Sequence, residues 1–257
     1  MESKSASFSS AKARGCDLAL VFLHYFSGAA VSWQWVIEKL EPNFRCVAFD
    51  LPGFGDAPSL THPSLQGYAT SVRQALAELE LGEFVLIGHS MGGKIALQVA
   101  AEPRIKGLRQ VVLVAPSPPT QEPMPQENKE RLLNNHPSRI SAETTVEEST
   151  QKELPDSRKE TAIQTHMQAE ESAWNWWLLE GMNNSIADQM QNVQVPVTVI
   201  ASHDDPVIPY ETIQQDVMGL LPKVELVELS GTGHLMPLEI PDEISQVIRQ
   251  LVSRQGS

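Results

Sequence analysis

A short apolar run, Phe84-Val85-Leu86-Ile87, breaks into Gly88-His89-Ser90-Met91-Gly92-Gly93, and Ile95, Ala96, Leu97, Val99 and Ala100 then follow at helical spacing. Few folds accept such a stretch. The pattern Gly-x-Ser-x-Gly between a strand and a helix forces a serine out of a sharp, strained turn. Gly88 and Gly92 remove side chains where neighbouring backbone must pass close by. The helix behind the turn points its N-terminus at Ser90, where free N–H groups favour developing negative charge. Ser90 is therefore a candidate nucleophile at the C-terminal end of a strand.

The rest of the chain alternates strand and helix signals. Buried strands are predicted over residues 17–24 (DLALVFLH), 45–49, 110–115, 195–201 and 223–229, besides the strand that ends at Ser90. Helices are predicted over about 31–40, 64–80 and 210–221, and from Pro241 onward, with Ile244, Val247, Ile248 and Leu251 on one face. Residues 1–15 are small and polar and leave room for a short edge strand. This alternation predicts an α/β fold with a doubly wound, mostly parallel sheet covered on both faces.

The pattern is interrupted once. Five prolines fall between Pro116 and Pro125 without a regular period. From there to about Gln191 the chain is polar, acidic and helix-prone, with Trp174, Trp176 and Trp177 close together. Disordered segments are poor in aromatics, so this stretch reads as an inserted helical cap. The expected organisation is a first core part over 1–116, the cap over 117–191 and a second core part over 192–257.

Several function classes are set aside at this stage. The net charge of −13 disfavours nucleic acid and anionic membrane surfaces as partners. No apolar run is long enough to span a bilayer, and the first ten residues lack a signal-peptide core. The simplest expectation is a cytoplasmic protein. Cys16 and Cys46 are the two cysteines and form no disulfide framework; both read as small apolar residues. No Cys/His cluster has metal-ligand spacing, and neither a dinucleotide nor a P-loop signature is present. The expectation is no cofactor and no metal, with oligomeric state left open.

A serine needs a histidine base, and the base needs an acid to hold its tautomer and stabilise its cation. Loops after the predicted strands supply both. Ser202-His203-Asp204-Asp205 follows one strand, and Ser230-Gly231-Thr232-Gly233-His234 follows the next. With these three motifs in this order, the chain resembles the α/β-hydrolase superfamily over nearly its whole length. It looks nearest to small capped esterases and lipase-like enzymes with a Gly-His-Ser-Met-Gly-Gly-Lys elbow.

The resemblance implies a Ser90–His234–Asp205 triad, with Asp204 as the competing acid. It implies an oxyanion hole from the backbone N–H groups of Met91 and Phe26. The latter lies in His24-Tyr25-Phe26-Ser27-Gly28, where Tyr25 replaces the family's glycine. His24, His89 and Asp50 match structural positions. Tyr25, Trp33, Trp174, Trp176 and Trp177 are expected to line a substrate pocket, and His62, His136 and His166 to lie on the surface. Lys94 is expected to face away along its helix.

The implied activity is that of a carboxylesterase-like serine hydrolase acting on a small-molecule ester through an acyl-enzyme. A C–C bond hydrolase or a cofactor-free perhydrolase on the same triad is the alternative. A non-enzymatic small-ligand receptor of this fold is a further one.

Overall fold

The computed structural model describes residues 7–9, 18–103 and 105–253. Cys16 lies outside the described residues. Seven strands form one sheet among them: β1 (Ser7–Ser9), β2 (Leu18–Leu23), β3 (Arg45–Phe49), β4 (Glu83–His89), β5 (Leu108–Val114), β6 (Val197–Ser202) and β7 (Val224–Leu229). Their order is β1-β3-β2-β4-β5-β6-β7. Only β1 runs antiparallel, at the edge against β3; every other pair is parallel.

The strands are continuous apolar runs because both faces of the sheet are covered. Val21, Leu23, Val47, Leu86 and Val111 belong to the core on one face. Their alternates Leu20, Phe22, Cys46, Val85 and Val112 belong to the core on the other. The first face packs against α2 (Leu65–Glu78) and α3 (Met91–Ala101), the second against α1 (Gln34–Leu40) and, after β7, α10 (Pro241–Ser253). Ser64 caps α2 by accepting a hydrogen bond from Gly67 N–H at 3.0 Å. The helix predicted over 210–221 is a short α8 (Tyr210–Thr212) that continues as a π-helical turn over Ile213–Met218.

Four α-helices stand between β5 and β6: α4 (Gln126–Asn134), α5 (Arg139–Ser149), α6 (Asp156–Gln168) and α7 (Glu171–Leu179). The tryptophans of α7 explain why this polar stretch is ordered. Trp174 stacks on His136 with ring centroids 4.1 Å apart, and its indole N–H donates to Leu132 O at 3.0 Å. Trp176 stacks on Tyr68 of α2 at 4.9 Å.

The strand order determines where a cleft can form. The chain leaves β2 for β3 on one side and later crosses to β4 on the other. Loops after β2 and β4 therefore diverge, and a crevice opens at their C-terminal ends. Tyr25 and Phe26 follow β2, and Ser90 follows β4.

Lys94 faces the protein interior rather than solvent. Helix α3 is buried on nearly every side, and Lys94 is fully buried with it. Its Nζ donates to Thr120 O at 2.8 Å. Burial lowers its pKa to about 8, with Glu122 pulling the other way.

Candidate active site

Ser90 sits at φ 52°, ψ −117°, a backbone conformation that costs roughly 1–3 kcal/mol for a residue other than glycine. The surroundings hold it there. Its N–H donates to Val114 O at 3.0 Å, and its carbonyl accepts from Gly93 N–H at 2.8 Å and Ser117 N–H at 3.1 Å. The two glycines of the turn cannot be replaced. A Cβ on Gly92 would stand 2.5 Å from His24 O and 2.6 Å from Leu23 O, and one on Gly88 would collide with the backbone of Gly92.

Ser90 Oγ–H donates to His234 Nε2 at 2.9 Å. His234 Nδ1–H donates to Asp205 Oδ2 at 2.9 Å. The second carboxylate oxygen of Asp205 accepts from Val207 N–H at 2.8 Å and Ile208 N–H at 3.0 Å. These bonds fix the Asp205 rotamer and, through it, the tautomer of His234. Asp204 points elsewhere: its Oδ2 accepts from Gly231 N–H at 2.6 Å. Of the two adjacent carboxylates, Asp205 is the one the structure brings to His234.

Burial pushes the His234 pKa down, but the charge and hydrogen bond of Asp205, with the charges of Glu122 and Glu239, outweigh it and raise it above 6.5. The flanking histidines go the other way. His89 donates from Nε2 to His234 O at 2.8 Å, and burial, with His234 beside it, holds its pKa well below the usual value. His24 donates from Nδ1 to Tyr25 O at 2.7 Å and accepts at Nε2 from Leu51 N–H at 3.0 Å. Burial takes its pKa down to about 4. Both are neutral struts that pin the loops around Ser90. Asp50 is also a strut, accepting from Ala30 N–H at 2.7 Å and Asp56 N–H at 3.2 Å.

Met91 is the first residue of α3, so its N–H lacks an intrahelical acceptor. The loop after β2 accommodates Tyr25 without a glycine-like backbone, because the left-handed residue there is Ser27, at φ 68°. Phe26 packs its ring on Trp174 with centroids 4.4 Å apart.

A cavity of about 60 Å³ opens over Ser90 and His234. Tyr25, Phe26 and Trp177 line it. The other three expected pocket residues do not. Trp33 is buried in the opposite core against Phe22 and His89. Trp174 and Trp176 are taken up by the stacks described above.

Two titratable residues of the lining are not legible in the sequence as such. Glu122 lies in the proline-rich stretch, buried, and accepts a hydrogen bond from the Ser117 hydroxyl. Burial raises its pKa, opposed by the Ser117 bond and the charges of His234 and Lys94. His166 of α6 was expected on the surface, yet it is 1% exposed. His136 is not a surface residue either: its Nε2 donates to Ala169 O at 2.8 Å beneath Trp174.

A profile of the Alpha/beta hydrolase family matches residues 20–247. The chain belongs to that family. This alpha/beta hydrolase is 27% identical over 254 residues to the uncharacterized hydrolase YugF of Bacillus subtilis, covering 91% of this chain and 89% of the relative. It is 32% identical over 103 residues to the 2-succinyl-6-hydroxy-2,4-cyclohexadiene-1-carboxylate synthase of Klebsiella pneumoniae, covering 40% of each. The match to a further relative of that kind, from Haemophilus influenzae, spans 35% of the relative's length. Among solved structures, the esterase of Exiguobacterium antarcticum superposes with a TM-score of 0.86 at 16% identity, over 96% of this chain and 94% of that one. No helix among the described residues of this hydrolase is long and apolar enough to cross a membrane.

Proposed function

We propose that this chain hydrolyses carboxylic esters of small molecules through an acyl-enzyme on Ser90. The observation that carries the proposal is the unbroken hydrogen-bonded chain from Asp205 through His234 to Ser90. In this reading His234 takes the Ser90 proton as Oγ attacks the ester carbonyl. The imidazolium that forms is stabilised by Asp205. The oxyanion is held by the N–H groups of Met91 and Phe26, assisted by the N-terminus of α3. His234 then returns its proton to the leaving alcohol. Water, activated by the same imidazole, releases the acid and restores Ser90. Residues 117–191 act as a cap over the site, and Tyr25 and Trp177 shape its wall.

The partial likeness to the carboxylate synthase motivates a second reading, in which the same triad forms a carboxylate by a reaction other than ester hydrolysis. The cavity lining argues against an anionic substrate of that kind. It contains neither lysine nor arginine, and buried Lys94 is already bonded to Thr120 O.

Initial rates on p-nitrophenyl esters of increasing acyl length, measured for wild type and Ser90→Ala, test the proposal. Turnover of short esters that is lost in Ser90→Ala is expected. Folded wild-type protein without turnover sinks the esterase reading and moves the weight to C–C substrates, peroxide chemistry or ligand sensing.

A further inference from the structure

His166 is placed as no structural histidine needs to be. It is 1% exposed, it lines the cavity that holds Ser90 and His234, and neither ring nitrogen has a hydrogen-bond partner. An unpaired buried imidazole loses hydrogen bonds to water that nothing replaces, which is costly unless a ligand supplies a partner. Trp174 packs against its ring, with centroids 4.6 Å apart. The nearby His136 and Arg131, added to burial, take its pKa to about 3. The ring therefore stays neutral and offers one N–H donor and one lone pair.

Glu122 stands in the same cavity wall. One of its oxygens accepts from the Ser117 hydroxyl, and burial raises its pKa, which favours the neutral carboxyl. The cavity is small, about 60 Å³, which suits a short group.

Resting on the esterase reading above, we infer that this pocket selects a short acyl group bearing a neutral hydroxyl, with His166 as the residue that recognises the hydroxyl. A hydroxyl both donates and accepts, so it satisfies a neutral imidazole where an alkyl chain leaves it unpaired. A carboxylate would lose its hydration in a lining that holds neither lysine nor arginine. An apolar acyl chain would fit by size but would leave both nitrogens of His166 bare. Sites built to hydrogen-bond a substrate hydroxyl discriminate strongly against the analogue lacking it.

The test compares p-nitrophenyl butyrate with the 2-hydroxy- and 3-hydroxybutyrate esters. Each kcat/KM is taken relative to the ester's spontaneous hydrolysis. Wild type should prefer at least one hydroxy ester by about tenfold or more, the scale of one or two recovered hydrogen bonds. His166→Leu should reverse the ratio, since the hydroxyl then enters an apolar pocket, and His166→Asn should restore part of it. Wild type that favours butyrate, or a ratio unchanged in His166→Leu, overturns the inference.

Binding separates this outcome from failure of the esterase reading. Ligand-detected NMR on Ser90→Ala protein should show methyl 2- or 3-hydroxybutyrate bound in preference to methyl butyrate, and the preference lost in Ser90→Ala/His166→Leu. That result without wild-type turnover sinks the ester chemistry and keeps the hydroxyl site. Equal binding of the hydroxy and plain esters overturns the site itself.

Discussion

Glu239 ties the helical segment between β5 and β6 to the loop that carries His234. One carboxylate oxygen, Oε2, accepts three backbone N–H groups: Gly233 at 3.0 Å, Gln151 at 2.9 Å and Lys152 at 3.0 Å. His234 N–H adds a fourth link by donating to Ser149 O at 2.8 Å. Replacing Glu239 by alanine leaves the Gly233 donor buried and unpaired, at about 1–3 kcal/mol. The other two bonds are only partly buried, so water replaces them in part, and their loss adds about 0.5–1.5 kcal/mol each. The sum is a destabilisation of roughly 2–6 kcal/mol.

Glu239→Gln keeps an accepting oxygen and loses the charge, so roughly a third of that effect is expected. Guanidinium unfolding measures both. Because Gly233 precedes His234, Glu239→Ala should also lower kcat on whichever ester the enzyme takes. Limited proteolysis should cut it faster around residues 149–155. A loss under about 1 kcal/mol, with unchanged cleavage there, would refute the idea that this oxygen holds the two segments together.

Three further outcomes follow from the same geometry. Asp205→Asn should cut kcat by about 10³–10⁴, because the amide no longer favours the required tautomer; Asp204→Asn, losing only the Gly231 bond, should stay within about tenfold of wild type, and a reversed order in steady-state rates would reassign the acid. The base must be unprotonated and its pKa is raised, so kcat/KM should rise with pH along a limb whose midpoint lies above 6.5; a pH profile with its midpoint below that value counts against His234 as the base. Gly92→Ala should give little folded protein or lose about 3 kcal/mol or more, given the clash with Leu23 O and His24 O; near-native stability by thermal melting would contradict the close approach of β2 to the turn.

The elements around Ser90 were readable from sequence because their requirements are local. A strand, two glycines and a helix start fit few other conformations, and the strands show as apolar runs because both faces of the sheet are buried. The order of the Asp205 and His234 loops is likewise a property of the linear chain. What could not be read is set by neighbours distant in sequence. His166 sits on a polar helix and looks like a surface residue until Trp174, from the next helix, covers it. Glu122 lies in a proline-rich stretch without a period, and its burial depends on Ser117 and on Lys94 reaching across from α3. The burial of Lys94 is not legible, since lysines usually lie at the surface; the helix that carries it is packed on nearly every side. Among the tryptophans, composition announced a packed cluster but not which indoles would face the cavity and which would stack on Tyr68 and His136.

Covalent trapping tests whether Ser90 is the nucleophile. Wild-type protein is treated with a small fluorophosphonate, and its intact mass and modified peptide are read by mass spectrometry. One adduct per chain is expected, on Ser90, absent in Ser90→Ala and formed much more slowly in His234→Ala. Folded wild-type protein that takes up no adduct, or takes it up on another serine, would contradict it.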